Sequence, residues 1–245
     1  MDPKNVYNPI ADLYESFSDS AAQINIEIRT ILNLAGDIQG KSVLDLACGY
    51  GLFSRLFRNH GASKVVGVDI SHNMIEIAKS KSQQYGDNIE FHVRDACNME
   101  SFGKFDLIIA AWLFCNTLSL EDLEMMFRSV AKNLAPNGKL IAYTIDPDYR
   151  LVKGNCINYR VNILSQEPWK EGAFVKAEFL TTPPSPFTMY QWSREQHKEA
   201  CNKAGLTQLE WHKPTLLQSD IDSYPPGFWD DFQNNCHDIA FVCQF

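Results

Sequence analysis

Lys41-Ser-Val-Leu-Asp-Leu-Ala-Cys-Gly-Tyr-Gly51 is the stretch whose reading decides the fold of this chain. Val43, Leu44 and Leu46 form an apolar run, Asp45 stands near its end, and Gly49 and Gly51 follow. Leu52, Phe53, Leu56 and Phe57 then recur at helical spacing. The pattern predicts a buried strand, a tight glycine turn and a helix. A Cβ in such a turn would hold the backbone away from whatever lies across it. A second run, Val65-Val-Gly-Val-Asp69, also closes on an acid. Together the two place a nucleoside-like ligand over the first strand, with a carboxylate against its ribose.

Two ligand classes use this layout. A dinucleotide site wants a third glycine three residues after Gly51, and Ser54 stands there. It also wants a helix N-terminus free to receive a pyrophosphate, whereas Asp45 directs negative charge toward the same turn. An ammonium-bearing ligand without phosphate suits that charge better. Asp45-Leu-Ala-Cys-Gly-Tyr-Gly51, with Val68-Asp69-Ile70-Ser71, resembles the class I S-adenosylmethionine-dependent methyltransferases. Tyr7-Asn-Pro-Ile-Ala-Asp-Leu-Tyr14, Phe105-Asp-Leu-Ile-Ile-Ala-Ala-Trp112 and Gly227-Phe-Trp-Asp-Asp-Phe232 are similar to the toxoflavin-synthase-like small-molecule methyltransferases. That resemblance implies S-adenosyl-L-methionine as cofactor and a ring nitrogen of a small heterocycle as methyl acceptor.

The remaining elements fit an α/β domain. Residues 8–36 read as two amphipathic helices, with Ile10, Leu13, Tyr14 and Phe17 marking the first. Ser71 is a plausible N-cap, 89–93 and 105–111 read as the third and fourth strands, and 118–134 reads as a helix stopped at Gly138. A fifth strand covers 139–145, so strand and helix alternate to that point and predict a parallel sheet. Beyond it, 173–180 and 187–192 read as a hairpin around Thr-Thr-Pro-Pro-Ser-Pro186, followed by a helix over 193–204 and strands over 207–212 and 238–244. The expected fold is one doubly wound, mostly parallel, seven-stranded Rossmann-like sheet with an antiparallel last strand. In that division 1–36 is a helical lid, 37–146 the cofactor-binding core, 147–192 a hairpin insertion capping the substrate, and 193–245 the rest of the sheet.

The resemblance also assigns roles. Gly49, Gly51 and Ala47 let the backbone approach the methionine half of the cofactor, and Asp45 holds its amino group. Asp69 accepts from the two ribose hydroxyls, since a carboxylate offers two oxygens to a diol. Ile70 and Met74 flank the adenine, Asp95 and Ala96 meet its amino group, and Ala111 and Tyr14 complete the set. Tyr7, Trp112, Asn116, Tyr143 and Tyr190 are the substrate candidates, aromatic walls being suited to stacking on a flat ring. Because the sulfonium is already activated, no indispensable base is expected, and Asp146 is the fallback for an acceptor that must lose a proton.

Composition narrows the alternatives. The chain has 245 residues, 45% hydrophobic content and a formal charge of −8, so it carries no basic footprint for a nucleic acid backbone. After the fourth strand there is neither the Asn-Pro-Pro-Tyr of base-methylating enzymes nor a Pro-Cys nucleophile. The seven cysteines form no C-x-x-C pair and the six histidines no metal spacing, so no metal is expected. No targeting core or membrane-length apolar run is visible, which predicts a soluble cytoplasmic protein, monomer or homodimer, acting on a small-molecule acceptor. Three alternatives stay open: an O-methyltransferase, a protein that binds the cofactor without transferring methyl, and a nicotinamide oxidoreductase.

Overall fold

The computed structural model describes residues 3–170 and 172–245; the side chains of residues 3–6, 10, 12, 15, 16 and 19 lie outside the description, Ile10 among them. Seven strands form the main sheet: β1 (Ser42–Leu46), β2 (Lys64–Asp69), β3 (Glu90–Val93), β4 (Phe105–Ala111), β5 (Leu134–Ile145), β9 (Gln208–His212) and β10 (Asp238–Gln244). Their order is β3-β2-β1-β4-β5-β10-β9. β1 pairs in parallel with both β2 and β4, while β10 runs antiparallel between β5 and β9. The fold is therefore the expected doubly wound, mostly parallel sheet with an antiparallel last strand. Strand order reverses between β1 and β4, and the crevice at their carboxyl ends is where such sheets bind ligands.

Alternation along the strands sends side chains to two helical layers. Leu44, Leu46, Ile108 and Ala110 pack with α5 (Leu120–Asn133) and α6 (Arg194–Lys203) through Leu123, Phe127 and Cys201. Val43, Leu107 and Ile109 face the other way, toward α2 (Ile24–Ala35), α3 (Leu52–Asn59) and α4 (His72–Tyr85). Ser71 caps α4 by accepting from Met74 N. Helix α1 (Pro3–Ser20) precedes these layers.

Two expectations need correction. Gly138 does not stop α5: the helix ends at Asn133, whose buried amide donates to Ser129 O and accepts from Phe102 N, and β5 begins at the next residue. A Cβ on Gly138 would sit 2.8 Å from Phe105 O, so glycine there admits the close approach of β5 to β4. The insertion, moreover, is a three-stranded antiparallel sheet rather than a hairpin. β6 (Val161–Trp169) precedes β7 (Gly172–Phe179) and β8 (Ser185–Gln191), in the order β6-β7-β8. This small sheet has its own core, in which Ile163, Val175, Phe179 and Phe187 pack with Phe17 of α1 and Ile26 of α2. Two short helices, α7 (Gln218–Asp222) and α8 (Asp230–Asn235), close the far side through Trp229 and Phe232. No helix among the described residues is long and apolar enough to cross a membrane.

Candidate active site

At the switch point the chain turns out of β1 through Ala47, Gly49 and Gly51, all at positive φ (57°, 53° and 86°). Gly49 N donates to Asp69 Oδ2 at 2.9 Å and Ser71 N donates to Asp69 Oδ1 at 2.8 Å. The carboxylate ending β2 is thereby fixed to the turn after β1, with the oxygens' remaining lone pairs available to a ligand. Burial raises its pKa, and the backbone donors hold part of that rise back.

A cavity of about 270 Å³ opens above this turn. Ala47, Gly49, Asp69, Ile70 and Met74 line one side, and Asp95, Ala96 and Ala111 the other. Tyr7 and Tyr14 of α1 close over it, with Trp112 and Asn116 at the end of β4. A second chamber of about 100 Å³ continues from it, sharing Tyr7, Tyr14, Ala47, Gly49, Ala111 and Trp112. Its roof is Val161, Phe179, Phe187 and Met189 of the small sheet, and its polar floor is Gln23, Glu27 and His237. Trp112 sits at φ 59° where the two chambers join, its N–H donating to Tyr143 O at 2.7 Å.

The structure draws five of the expected residues away from the cavity. Asp45 is buried in β1, 1% exposed, and its Oδ2 accepts from Ser54 Oγ at 2.6 Å. Burial lifts its carboxyl to about 7. The serine that replaces the third glycine therefore answers Asp45 from within the first turn of α3. Gly51 closes the turn onto Cys48 O, and a Cβ there would lie 2.8 Å from the Phe91 ring, so its constraint is packing against β3. Tyr143 is fully buried beneath Trp112, with its hydroxyl donating to Asp238 Oδ2 at 3.2 Å. Tyr190 points to the opposite face of β8 from Phe187 and Met189 and packs on Trp169 and Phe174. Asp146 accepts from Asp148 N and Arg194 Nη2 in a turn outside both chambers. Arg29, on the outer side of α2, is paired with Asp220 at 2.7 Å.

The sequence alone favours a structural role for His237 and does not point to Glu27 or the roof residues, all of which line the second chamber. Glu27 carried a signal: it shares the buried face of α2 with Thr30 and Ile31, an unusual place for an acid. Among the described residues no group of His, Cys, Asp and Glu side chains could hold a metal ion.

The donor set fits S-adenosylmethionine. An acid stands ready for a ribose diol, apolar walls flank a slot for adenine, and Arg94 is the sole lysine or arginine among the first chamber's lining residues, so no phosphate cradle is formed. This strand order, with an acid ending β2 and the cavity at the switch point, is the fold of the S-adenosylmethionine-dependent methyltransferases. Residues 43–138 match the family described as a methyltransferase domain. The chain is 30% identical over 147 residues to a ubiquinone biosynthesis O-methyltransferase of Coxiella burnetii, covering 59% of this chain and 61% of that protein. It thus spans about three-fifths of the length of that relative. A demethylmenaquinone methyltransferase of Lactococcus lactis is 27% identical over 226 residues, covering 86% of this chain and 84% of that one. Among solved structures, an S-adenosylmethionine-dependent methyltransferase from Mesorhizobium loti superposes with TM-score 0.62 at 20% identity, over 93% of this chain and all of that one.

Proposed function

We propose that this protein is a methyltransferase that uses S-adenosyl-L-methionine to methylate a small molecule. The observation that carries the reading is Asp69, held by two backbone N–H groups inside the cavity at the switch point of a sheet whose core matches a methyltransferase domain. Asp69 would take the ribose diol, Ile70, Met74 and Ala96 would hold the adenine, and the Ala47–Gly49 backbone would face the methionine half. When bound, the cofactor supplies an electrophilic methyl on a sulfonium. The chain's own part is alignment and the exclusion of water: Tyr7 and Tyr14 cover the first chamber, and the small sheet roofs the second.

The second chamber supports a compact, flat acceptor. Its walls are mostly aromatic and apolar, and no lysine or arginine is among its lining residues, so no cluster of cations is built there for a phosphate or carboxylate. A nitrogen of a heterocycle or amine suits it. Oxygen methylation is a second reading, favoured by the name of the relative in ubiquinone biosynthesis. The test is calorimetric titration with S-adenosylhomocysteine, with NADH as comparison. Binding of the first in the micromolar range, with none of the second, supports the reading. NADH binding alone would replace it with a nicotinamide enzyme.

A further inference from the structure

Glu27 is 3% exposed and lines the second chamber from α2. Its Oε2 accepts from Trp112 Nε1 at 3.3 Å, and that is a thin set of donors for a buried acid. The groups packed around it do little to relieve it. At the start of β10, Asp238 pairs with His237, the residue just before the strand, at 2.8 Å. From β5, Tyr143 donates to Asp238, and from α1 the Tyr14 phenol faces the same space. A glutamine would fill this position and satisfy Trp112 without the cost of burying a charge. A buried acid in such a place, at the floor of a chamber, points to chemistry there.

Resting on the methyltransferase reading, we propose that Glu27 is the proton acceptor for the methyl acceptor, whose class is a flat, uncharged molecule with an ionisable N–H or O–H at the methylated atom. The acceptor atom's electron pair forms the bond to the methyl carbon. The carbon–sulfur bond breaks and its pair stays on sulfur, which loses its positive charge. The pair of the N–H or O–H bond stays on the acceptor atom, and its proton passes to the Glu27 carboxylate and later to solvent. Charge balances, because one cation and one carboxylate are neutralised together. Burial, with the Asp238 charge added, lifts Glu27 to about 8, while Trp112 and His237 hold it from rising further. A base in that range operates near neutrality. Burial alone would lower His237, but the Asp238 charge beside it and the neighbouring Cys156 outweigh burial and hold the imidazole well above its ordinary value.

The test uses the full chain saturated with S-adenosylhomocysteine, and two pairs of probes: benzimidazole with N-methylbenzimidazole, and catechol with its dimethyl ether. The proposal expects one unmethylated probe to bind at least about tenfold more tightly than its methylated partner above about pH 8. It expects Glu27→Gln to reduce that preference to about twofold or less while S-adenosylhomocysteine affinity is kept. Equal binding within both pairs, a preference that survives in Glu27→Gln, or binding of no probe would overturn it. Loss of S-adenosylhomocysteine binding in Glu27→Gln would overturn it too, placing the carboxylate on the cofactor's ammonium instead. If the unaltered protein does not bind S-adenosylhomocysteine, the methyltransferase reading itself has failed, and that result is distinct from the others.

Discussion

At the scale of single residues, the site is governed by two buried carboxyl groups with opposite provisions. Asp69 is served by two backbone donors and Glu27 by one indole. An Asp69→Asn variant keeps the size but presents an NH₂ to donors that already point at it, so S-adenosylhomocysteine affinity should fall about tenfold to a hundredfold by calorimetry, the loss of one or two charge-assisted bonds. Glu27 has a folded-state pKa of about 8 against an ordinary value of 4.5. Between those values the folded state binds more protons than the unfolded one, so stability contributed by this group declines as pH rises through the window and is level above it. Relative to the unaltered protein, Glu27→Gln should gain stability across that range, by at most about 1.4 kcal/mol per pH unit. Denaturant unfolding at several pH values measures it; a constant difference would contradict the assignment. The sequence made Asp69 legible because its spacing from the glycine turn has one good use. Asp45 misled because a strand-end acid can turn inward, and the hydroxyl that answers it, Ser54, sits nine residues away.

Elements were read well where one period dominated and poorly where two effects met. β1, β2 and β4 are largely apolar runs buried on both faces, β3 alternates as an edge strand, and each closes near its expected end. β6 was missed because Ser165, Gln166, Glu167 and Pro168 break the apolar pattern; it is an edge strand, where proline costs no ladder bond. Tyr190 is a substrate candidate by residue type alone, but parity along β8 puts the odd-numbered Phe187 and Met189 on the chamber side and Tyr190 on the other. Gly138 read as a helix stop because a glycine soon after a helix usually is one. Its actual constraint predicts that Gly138→Ala pushes β5 against the Phe105 carbonyl and costs about 1–3 kcal/mol in denaturant unfolding. An unchanged midpoint would show that the backbone yields there.

For the whole molecule, the cofactor and acceptor spaces are built from different layers. The carboxyl ends of the parallel strands form the floor of the first chamber, whereas α1, α2 and the three-stranded sheet supply nearly half of the lining of the second. The cap is attached through aromatic contacts, Tyr14 and Phe17 of α1 meeting Phe179 at 5.2 and 4.6 Å between ring centroids. A ligand beneath Tyr7 and Tyr14 therefore ties α1 to the sheet, and residues 1–20 and 147–192 should be cut more slowly by protease when S-adenosylhomocysteine is present. Unchanged cleavage would mean that these segments do not close on the ligand. This division also explains why the acceptor side was hard to read from the sequence: its walls come from segments more than a hundred residues apart, and no local pattern announces that they meet. The most direct measurement is a crystal structure of the protein with S-adenosylhomocysteine. Both ribose hydroxyls should lie on Asp69, the adenine between Met74 and Ala96, and the sulfur should face the chamber floored by Glu27. A ligand bound elsewhere, or with its ribose turned away from Asp69, would contradict that placement.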